Sequence, residues 1–279
     1  MVRDQVDYVS GRSRLYGIVG HPIEQVRSPE MFTAEFVARA HHGIMLPFHV
    51  LPDDFDVVLP ALMRMPNLDG LVFTIPFKQR AVDLAQTIGP NARMVGAINA
   101  LTRDDAEGWK GEIFDGIGCV EGHRRAGISF AGKRVMLIGL GGAGSAIAAA
   151  IAHERPIMMR LFDLDQARVT AMAERIRELD PAIEVVIGPP VTEGIDHLLN
   201  ASPVGMLDDR RMPVEATTLP SAMTVFDAIV KPETTALLAL AEASGCQVVR
   251  GREMMRGQIS RMADFFGVAR RRATANTGT

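Results

Sequence analysis

Gly139, Gly141 and Gly144 stand at G-x-G-x-x-G spacing, directly behind an apolar run at residues 135–138 and ahead of an alanine- and isoleucine-rich run at 145–152. A strand, a glycine turn and a helix in that order build a phosphate cradle. Gly139 would permit the tight turn, Gly141 would let backbone approach a pyrophosphate, and Gly144 would let the helix pack close to the strand. Gly142 and Ala143 lie between them. The helix start there offers N–H groups without intrahelical acceptors, and the positive end of a dipole, to phosphate oxygens. The chemistry implied is dinucleotide binding. An ordinary glycine turn is the competing reading, and the flanking strand and helix decide against it. Asp163 follows the next strand candidate roughly twenty residues on, where a carboxylate accepts from the ribose 2′-hydroxyl of NAD and repels a 2′-phosphate. Arg168 would soften that repulsion, and Arg160 is less well placed, so the balance favours NAD over NADP. Asp163 can also be read as the N-cap of a helix beginning near Asp165.

Two alternating series of elements must position these groups. The first has strand candidates at 15–20, 44–50, 68–75, 97–101 and 109–114. Its helices are expected from Ser28-Pro29, with Ser28 as N-cap and Pro29 at the first helical position, from Asp53-Asp54 to about Met63, and over 77–88, where Gly89-Pro90 reads as a stop. A glycine-punctuated helix at 116–127 links to the second series. Strands there are expected at 135–138, 159–162, 183–187, 197–200, 225–229 and 248–250, and helices at 145–152, 167–179, 234–244 and 251–266. Six strands with helices between them fit a doubly wound sheet. The expected fold class is therefore α/β, an N-terminal α/β substrate domain plus a Rossmann doubly wound dinucleotide-binding domain. The domains run over 1–114 with 252–279, and over 115–251.

Composition narrows the partners. Thirty Lys+Arg against 33 Asp+Glu in 279 residues give a net charge of -3, with 47% hydrophobic content. That balance gives no reason to expect nucleic acid or an anionic membrane. The Arg-rich segment 270–272 precedes a polar tail and reads as a frayed terminus. Two cysteines, Cys119 and Cys246, without a C-x-x-C, read as buried thiols. The polar stretch 1–14 shows no secretory signal, and no apolar run reaches spanning length. A cytoplasmic protein, monomer or homodimer, is the expectation, with no metal, because the seven histidines and two cysteines show no ligand spacing.

Further motifs span nearly the whole chain in order. They are Gly20-His21-Pro22-Ile23-Glu24-Gln25-Val26-Arg27-Ser28-Pro29, Val72-Phe73-Thr74-Ile75-Pro76-Phe77-Lys78, Gly96-Ala97-Ile98-Asn99-Ala100-Leu101, Ile113-Phe114-Asp115-Gly116-Ile117-Gly118, Asn200-Ala201-Ser202-Pro203-Val204-Gly205-Met206, and Gly251-Arg252-Glu253-Met254-Met255-Arg256-Gly257-Gln258. On these the chain resembles the shikimate dehydrogenase family, including its quinate/shikimate relatives. The resemblance implies reversible hydride transfer between a ring secondary alcohol, on a small cyclic hydroxy acid, and a nicotinamide. It implies Lys78 and Asp115 as the catalytic pair, and Ser28, Thr74, Asn99 and Gln258 as substrate contacts. Ser202, Ala228 and Gly251 join the glycine loop and Asp163 as cofactor contacts.

The chemistry agrees with that assignment. Oxidising an alcohol requires a group that removes its hydroxyl proton as hydride leaves carbon. On the expected helix 77–88, Lys78 would sit in the first turn, where the dipole disfavours an ammonium. Asp115 would oppose that, so the proton work belongs to the pair. Read alone, Lys78 is a solvated helix lysine and Asp115 a turn or N-cap aspartate.

Four family positions have lost a polar group: Val26 (a serine), Val72 (an asparagine), Phe114 (a threonine) and Val230 (a tyrosine, in Asp227-Ala228-Ile229-Val230-Lys231-Pro232). Each unmade partner to a buried polar substrate group costs on the order of 1–3 kcal/mol. The reacting end is intact, whereas the positions expected around the carboxylate and a flanking ring hydroxyl are partly apolar. A substrate less polar than shikimate follows, unless Arg27 or Gln25 compensates. Two other readings fit the glycine loop alone: a folate-linked or amino-acid dehydrogenase, and a dinucleotide-binding sensor or scaffold without turnover.

Overall fold

The computed structural model describes residues 9–104 and 106–269. Most of the polar N-terminal stretch and the segment 270–279 lie outside the described residues. The chain forms two compact units: residues 1–88, 98–112 and 259–279, and residues 89–97 and 113–258.

The first unit is built on a six-stranded mixed sheet. Its strands are β1 (Arg14–Gly20), β2 (Gly43–His49), β3 (Leu68–Phe73), β4 (Thr87–Ile88), β5 (Ala100–Asp104) and β6 (Gly108–Glu112), in the order β2-β1-β3-β5-β6-β4. β1 runs parallel to β2 and β3, whereas β5 is antiparallel to both β3 and β6. Helices α1 (Ser28–Ala38) and α2 (Phe55–Met63) belong to this unit. A ring cluster of Tyr16, Phe32, Phe36 and Phe266 fills one face. The buried Arg39, just past α1, donates to Asp264, to the Ser260 and Val268 carbonyls and to Glu35. It thereby ties the chain's last helical residues to α1.

Two sequence expectations fail in this region. Residues 77–88 are not an α-helix. They hold a short 3-10 turn, Arg80–Leu84, and then β4. Pairing overrides propensity there: Gln86 exchanges backbone and side-chain hydrogen bonds with Trp109, and Thr87 and Ile88 pair with Lys110 and Gly111 of β6. Gly89-Pro90 starts a helix rather than stopping one. Gly89 is the N-cap of α3 (Pro90–Val95), whose proline sits at the first position, where its missing N–H costs nothing. α3 packs on the first helix of the dinucleotide-type sheet, and Met94 accepts from Arg175 at 2.6 Å, which groups 89–97 with the second unit.

The second unit is an all-parallel six-stranded sheet. It comprises β7 (Arg134–Ile138), β8 (Met158–Phe162), β9 (Glu184–Ile187), β10 (His197–Asn200), β11 (Thr224–Asp227) and β12 (Gln247–Arg250), in the order β12-β11-β10-β7-β8-β9. This is the doubly wound order, with its switch point between β7 and β10. Along β7, Val135 and Leu137 enter one core, and Met136 and Ile138 the other. Both faces are covered, hence the continuous apolar run in the sequence. The helices are α4 (Asp115–Arg125), α5 (Gly142–His153), α6 (Gln166–Leu179), α7 (Ala236–Ala243) and α8 (Gly251–Phe265), the last shared with the first unit from Ile259 onward.

The core of the second unit that takes in Val135 and Leu137 is flanked by two imidazoles with no sequence signal beyond their residue type. His123 Nδ1 donates to the Cys119 carbonyl at 2.8 Å, and Phe130 packs against both His123 and His197. Burial lowers both imidazoles from 6.5 to about 4. Burial, with Asp115 nearby, pushes the Cys119 thiol up, so it is an inert core group. Among the described residues no helix is long and apolar enough to cross a membrane.

Candidate active site

The glycine turn behaves as its spacing requires. Gly139 has φ +92°, and a Cβ there would stand 2.6 Å from the Ser202 nitrogen. A Cβ on Gly144 would stand 1.9 Å from the Gly139 carbonyl oxygen, so no side chain fits between helix and turn. Gly141 has open space in its Cβ direction and is the N-cap of α5. The helix therefore starts at Gly142 rather than at Ser145. Gly142, Ala143 and Gly144 form its first turn, and no side chain caps it. These N–H groups are the ones an anion would meet.

Asp163 closes the turn from the far side. One carboxylate oxygen accepts from Leu140 N–H at 2.6 Å and the other from Asp165 N–H at 2.9 Å. It is not the helix cap. Asp165 holds that position, accepting from the Ala167 and Arg168 N–H groups. Arg168 pairs with Asp165 at 3.1 Å, which engages its charge locally. Leu164, between the two aspartates, is 90% exposed. Arg160 reaches the Pro189 carbonyl at 3.4 Å.

On the other side of the switch point lies the loop after β10. Ser202 turns inward: its N–H and hydroxyl both donate to Asn200 Oδ1, at 3.0 and 2.7 Å. Ala228 follows β11 and donates its N–H to the Asn200 carbonyl. Gly251 opens α8 so close to that turn that a Cβ would stand 2.6 Å from the Ala228 and Ile229 carbonyl oxygens. Val230 is half-buried just beyond.

Asp115 is the first residue of α4 and is buried, with Phe114 as the N-cap residue, also buried. α4 lies backbone-close to α5: a Cβ on Gly116 would stand 2.1 Å from the Ala146 carbonyl oxygen. The dinucleotide-type unit thus fixes Asp115 through its neighbour in sequence. Gln258 is buried on α8.

Within the first unit Thr74, Lys78 and Asn99 lie together at one end of the sheet, where β3 finishes and β5 begins. Thr74 follows β3 and donates its N–H to Val19, while Phe73 N–H donates to Asn99, which precedes β5. The Lys78 carbonyl accepts from Ile98 N–H at 2.8 Å, tying the lysine's backbone to the same strand start. Lys78 thus stands in a turn before the 3-10 segment rather than in an α-helix, and the helix-dipole argument for it falls away. Asn99 and Val72 are buried. Ser28 is the first residue of α1; the N-cap is Arg27, and no side chain caps the helix. Val26 is half-buried one turn earlier.

The two compensating groups are committed elsewhere: Gln25 donates to the Pro22 carbonyl at 2.8 Å, and Arg27 pairs with Glu30. Sequence reasoning also missed His21 and His49, whose rings stack and hydrogen-bond at 2.9 Å at the ends of β1 and β2. It missed Asp227 and Thr235 as partners of Asn200 as well; the only signal for them was their place in or beside quoted motifs.

A parallel sheet in doubly wound order, with a glycine cradle at its switch point, joined to a second α/β unit, defines the class of two-unit dinucleotide-dependent dehydrogenases. The comparisons agree. Residues 18–101 match the family model described as the shikimate dehydrogenase substrate binding domain. The shikimate dehydrogenase (NADP(+)) of Moorella thermoacetica is 30% identical over 88% of this chain and 85% of its own length. Among solved structures, the shikimate 5-dehydrogenase of Listeria monocytogenes in complex with shikimate and NAD is 25% identical with a TM-score of 0.82, covering 94% of each chain. The quinate dehydrogenase of Corynebacterium glutamicum in complex with NAD is also 25% identical, with a TM-score of 0.77 over 92% of this chain and 99% of that one. The chain belongs to the shikimate dehydrogenase family, oxidoreductases that act on CH–OH groups.

Proposed function

We propose that this protein transfers a hydride reversibly between a secondary alcohol on a shikimate-like ring and NAD, and that its substrate is less polar than shikimate at the carboxylate end. The observation that carries the reading is the intact reacting set, Lys78, Asn99 and Asp115, beside the four apolar replacements Val26, Val72, Phe114 and Val230.

The cradle fits a dinucleotide, because two of its three spaced glycines leave no room for a side chain and the third faces open space. A bound nicotinamide supplies the hydride acceptor or donor. The protein's own residues do the rest. Lys78, acting with Asp115, takes the hydroxyl proton as the carbinol C–H bond breaks, and returns it when the ketone is reduced. Asn99, Thr74, Ser28 and Gln258 orient the ring. The α5 N-terminus and the turn 139–144 would hold the pyrophosphate.

Local charge supports NAD over NADP. The Asp163 carboxylate beside the glycine turn would repel a 2′-phosphate, Arg168 is already paired with Asp165, and Leu164 brings no charge. The Moorella relative carries NADP(+) in its name, whereas the Listeria and Corynebacterium structures are complexes with NAD. A cytoplasmic monomer or homodimer remains the expectation.

The test is nicotinamide reduction across a panel of cyclic hydroxy acids with NAD and with NADP, run beside a Lys78→Ala control. Turnover with NAD that the control abolishes supports the reading. A panel with no turnover but with dinucleotide binding favours a sensor.

A further inference from the structure

We propose that Asp227 is a positioning residue for the dinucleotide crevice. Through Asn200 and Thr235 it fixes the loop 200–205 and the turn after β11, and so sets cofactor affinity without touching the cofactor. This rests on the dinucleotide reading above.

Asp227 ends β11, Asn200 ends β10, and the two are register partners. The Asp227 side chain is fully buried. Its Oδ1 accepts from Asn200 Nδ2 and from Ile229 N–H, both at 3.1 Å, and its Oδ2 accepts from the Thr235 hydroxyl at 2.7 Å. Thr235 in turn accepts from Leu238 N–H and caps α7. Asn200 spends its remaining donor on the Val204 carbonyl at 3.1 Å, and its Oδ1 holds Ser202 twice. One carboxylate thus organises three segments: the loop 200–205, the turn 227–229 and the start of α7.

That loop is the wall opposite the glycine turn. Ala201 donates its N–H to the Ile138 carbonyl at 2.7 Å, and the Ser202 nitrogen stands 2.6 Å from where a Gly139 Cβ would be. Ligands of doubly wound sheets lie beyond the carboxyl ends of the strands at this switch. A displacement of Ser202 there changes the crevice width directly.

A buried carboxyl is a costly choice for packing alone. Burial pushes Asp227 up to about 6, against the pull of its three donors, all of them neutral. The charged side chains on the surrounding elements pair with one another, Arg250 of β12 with Glu242 of α7 and Arg252 of α8 with Glu233. The three donors give the side chain a geometric role, since a satisfied buried network holds one arrangement.

The experiment compares full-length wild type with Asp227→Leu, Asp227→Asn and Thr235→Val. It measures NADH dissociation constants by fluorescence titration, and steady-state kcat with KM for NAD and for the ring alcohol. We expect Asp227→Leu and Thr235→Val to weaken NADH and raise the NAD KM about tenfold, with kcat and the alcohol KM within about threefold. Asp227→Asn should restore affinity, because its oxygen can still accept from Asn200 and Ile229 while its amide donates to Thr235. An unchanged NADH constant in Asp227→Leu overturns the proposal. So does an Asp227→Asn variant as weak as the leucine variant, which would assign the effect to charge. If Asp227→Leu does not fold, Thr235→Val, which leaves the Asp227–Asn200 contact in place, decides. A wild type that binds neither dinucleotide overturns the cofactor reading and this inference together; a wild type that binds, with variants that match it, overturns the inference alone.

Discussion

The crevice proposed for the dinucleotide and the site proposed for the substrate are built from different materials. The crevice is made of backbone: Gly139 at φ +92°, Gly144 against the Gly139 carbonyl, and the first turn of α5. The site proposed for the substrate is made of side chains, Thr74 and Asn99 beside strand ends and Lys78 in a turn, with Val26 and Val72 where the resemblance places polar groups. A backbone site tolerates little, because any Cβ at Gly139 or Gly144 collides with main chain. A side-chain site can exchange one group at a time while the sheet beneath it persists. The cofactor half is therefore expected to be held and the substrate half to drift.

Five results would break or sharpen that contrast. The largest effect belongs to the reacting end: Lys78→Ala should lower kcat about 10²–10⁴-fold while NAD binding is kept. Unchanged turnover would remove the lysine from the chemistry. Next, restoring polarity at the site proposed for the substrate with Val26→Ser and Val72→Asn together should lower the KM for shikimate about five- to a hundredfold. An unaltered KM would mean that the apolar wall does not read the substrate.

Third, Gly144→Ala should cost about 1–3 kcal/mol of stability, since the added methyl meets a carbonyl oxygen at 1.9 Å. A melting temperature equal to wild type would contradict the close approach.

Fourth is acid stability. His123 and His197 titrate near 6.5 when unfolded and at about 4 when folded. The unfolded chain then binds more protons between those values, so stability is full above 6.5 and is lost as pH falls toward 4. The loss is about 3 kcal/mol for each imidazole. Asp227, raised from 3.8 to about 6, acts with the opposite sign but is one group against two. Urea titrations from pH 7 to pH 4 should show the midpoint falling. A flat profile would contradict the burial of the pair.

Smallest is Asp163→Asn, which should narrow the preference for NAD over NADP by about tenfold. An unaltered ratio would move cofactor choice elsewhere.

How much of this was legible in the sequence follows the same division. Residues 197–200 form the expected strand, and the 139–144 turn has the expected shape, because both are set by local pattern on an all-parallel sheet with two buried faces. Residues 77–88 are not the expected helix because their end, Thr87 and Ile88, pairs with β6, a partner distant in sequence. Gly89-Pro90 is ambiguous in sequence, because the same dipeptide can end one helix or begin the next, and here it begins one. The Asp227–Asn200–Thr235 network joins residues 27 and 8 positions apart, and no periodicity announces such a triad.

The central claim is that the reacting end is retained while recognition of the substrate's polar end has changed. Its most direct measurement is kcat/KM with NAD for shikimate against the methyl ester of the same ring acid. The account predicts a higher kcat/KM for the ester. A higher kcat/KM for shikimate, with a lower KM, would contradict it.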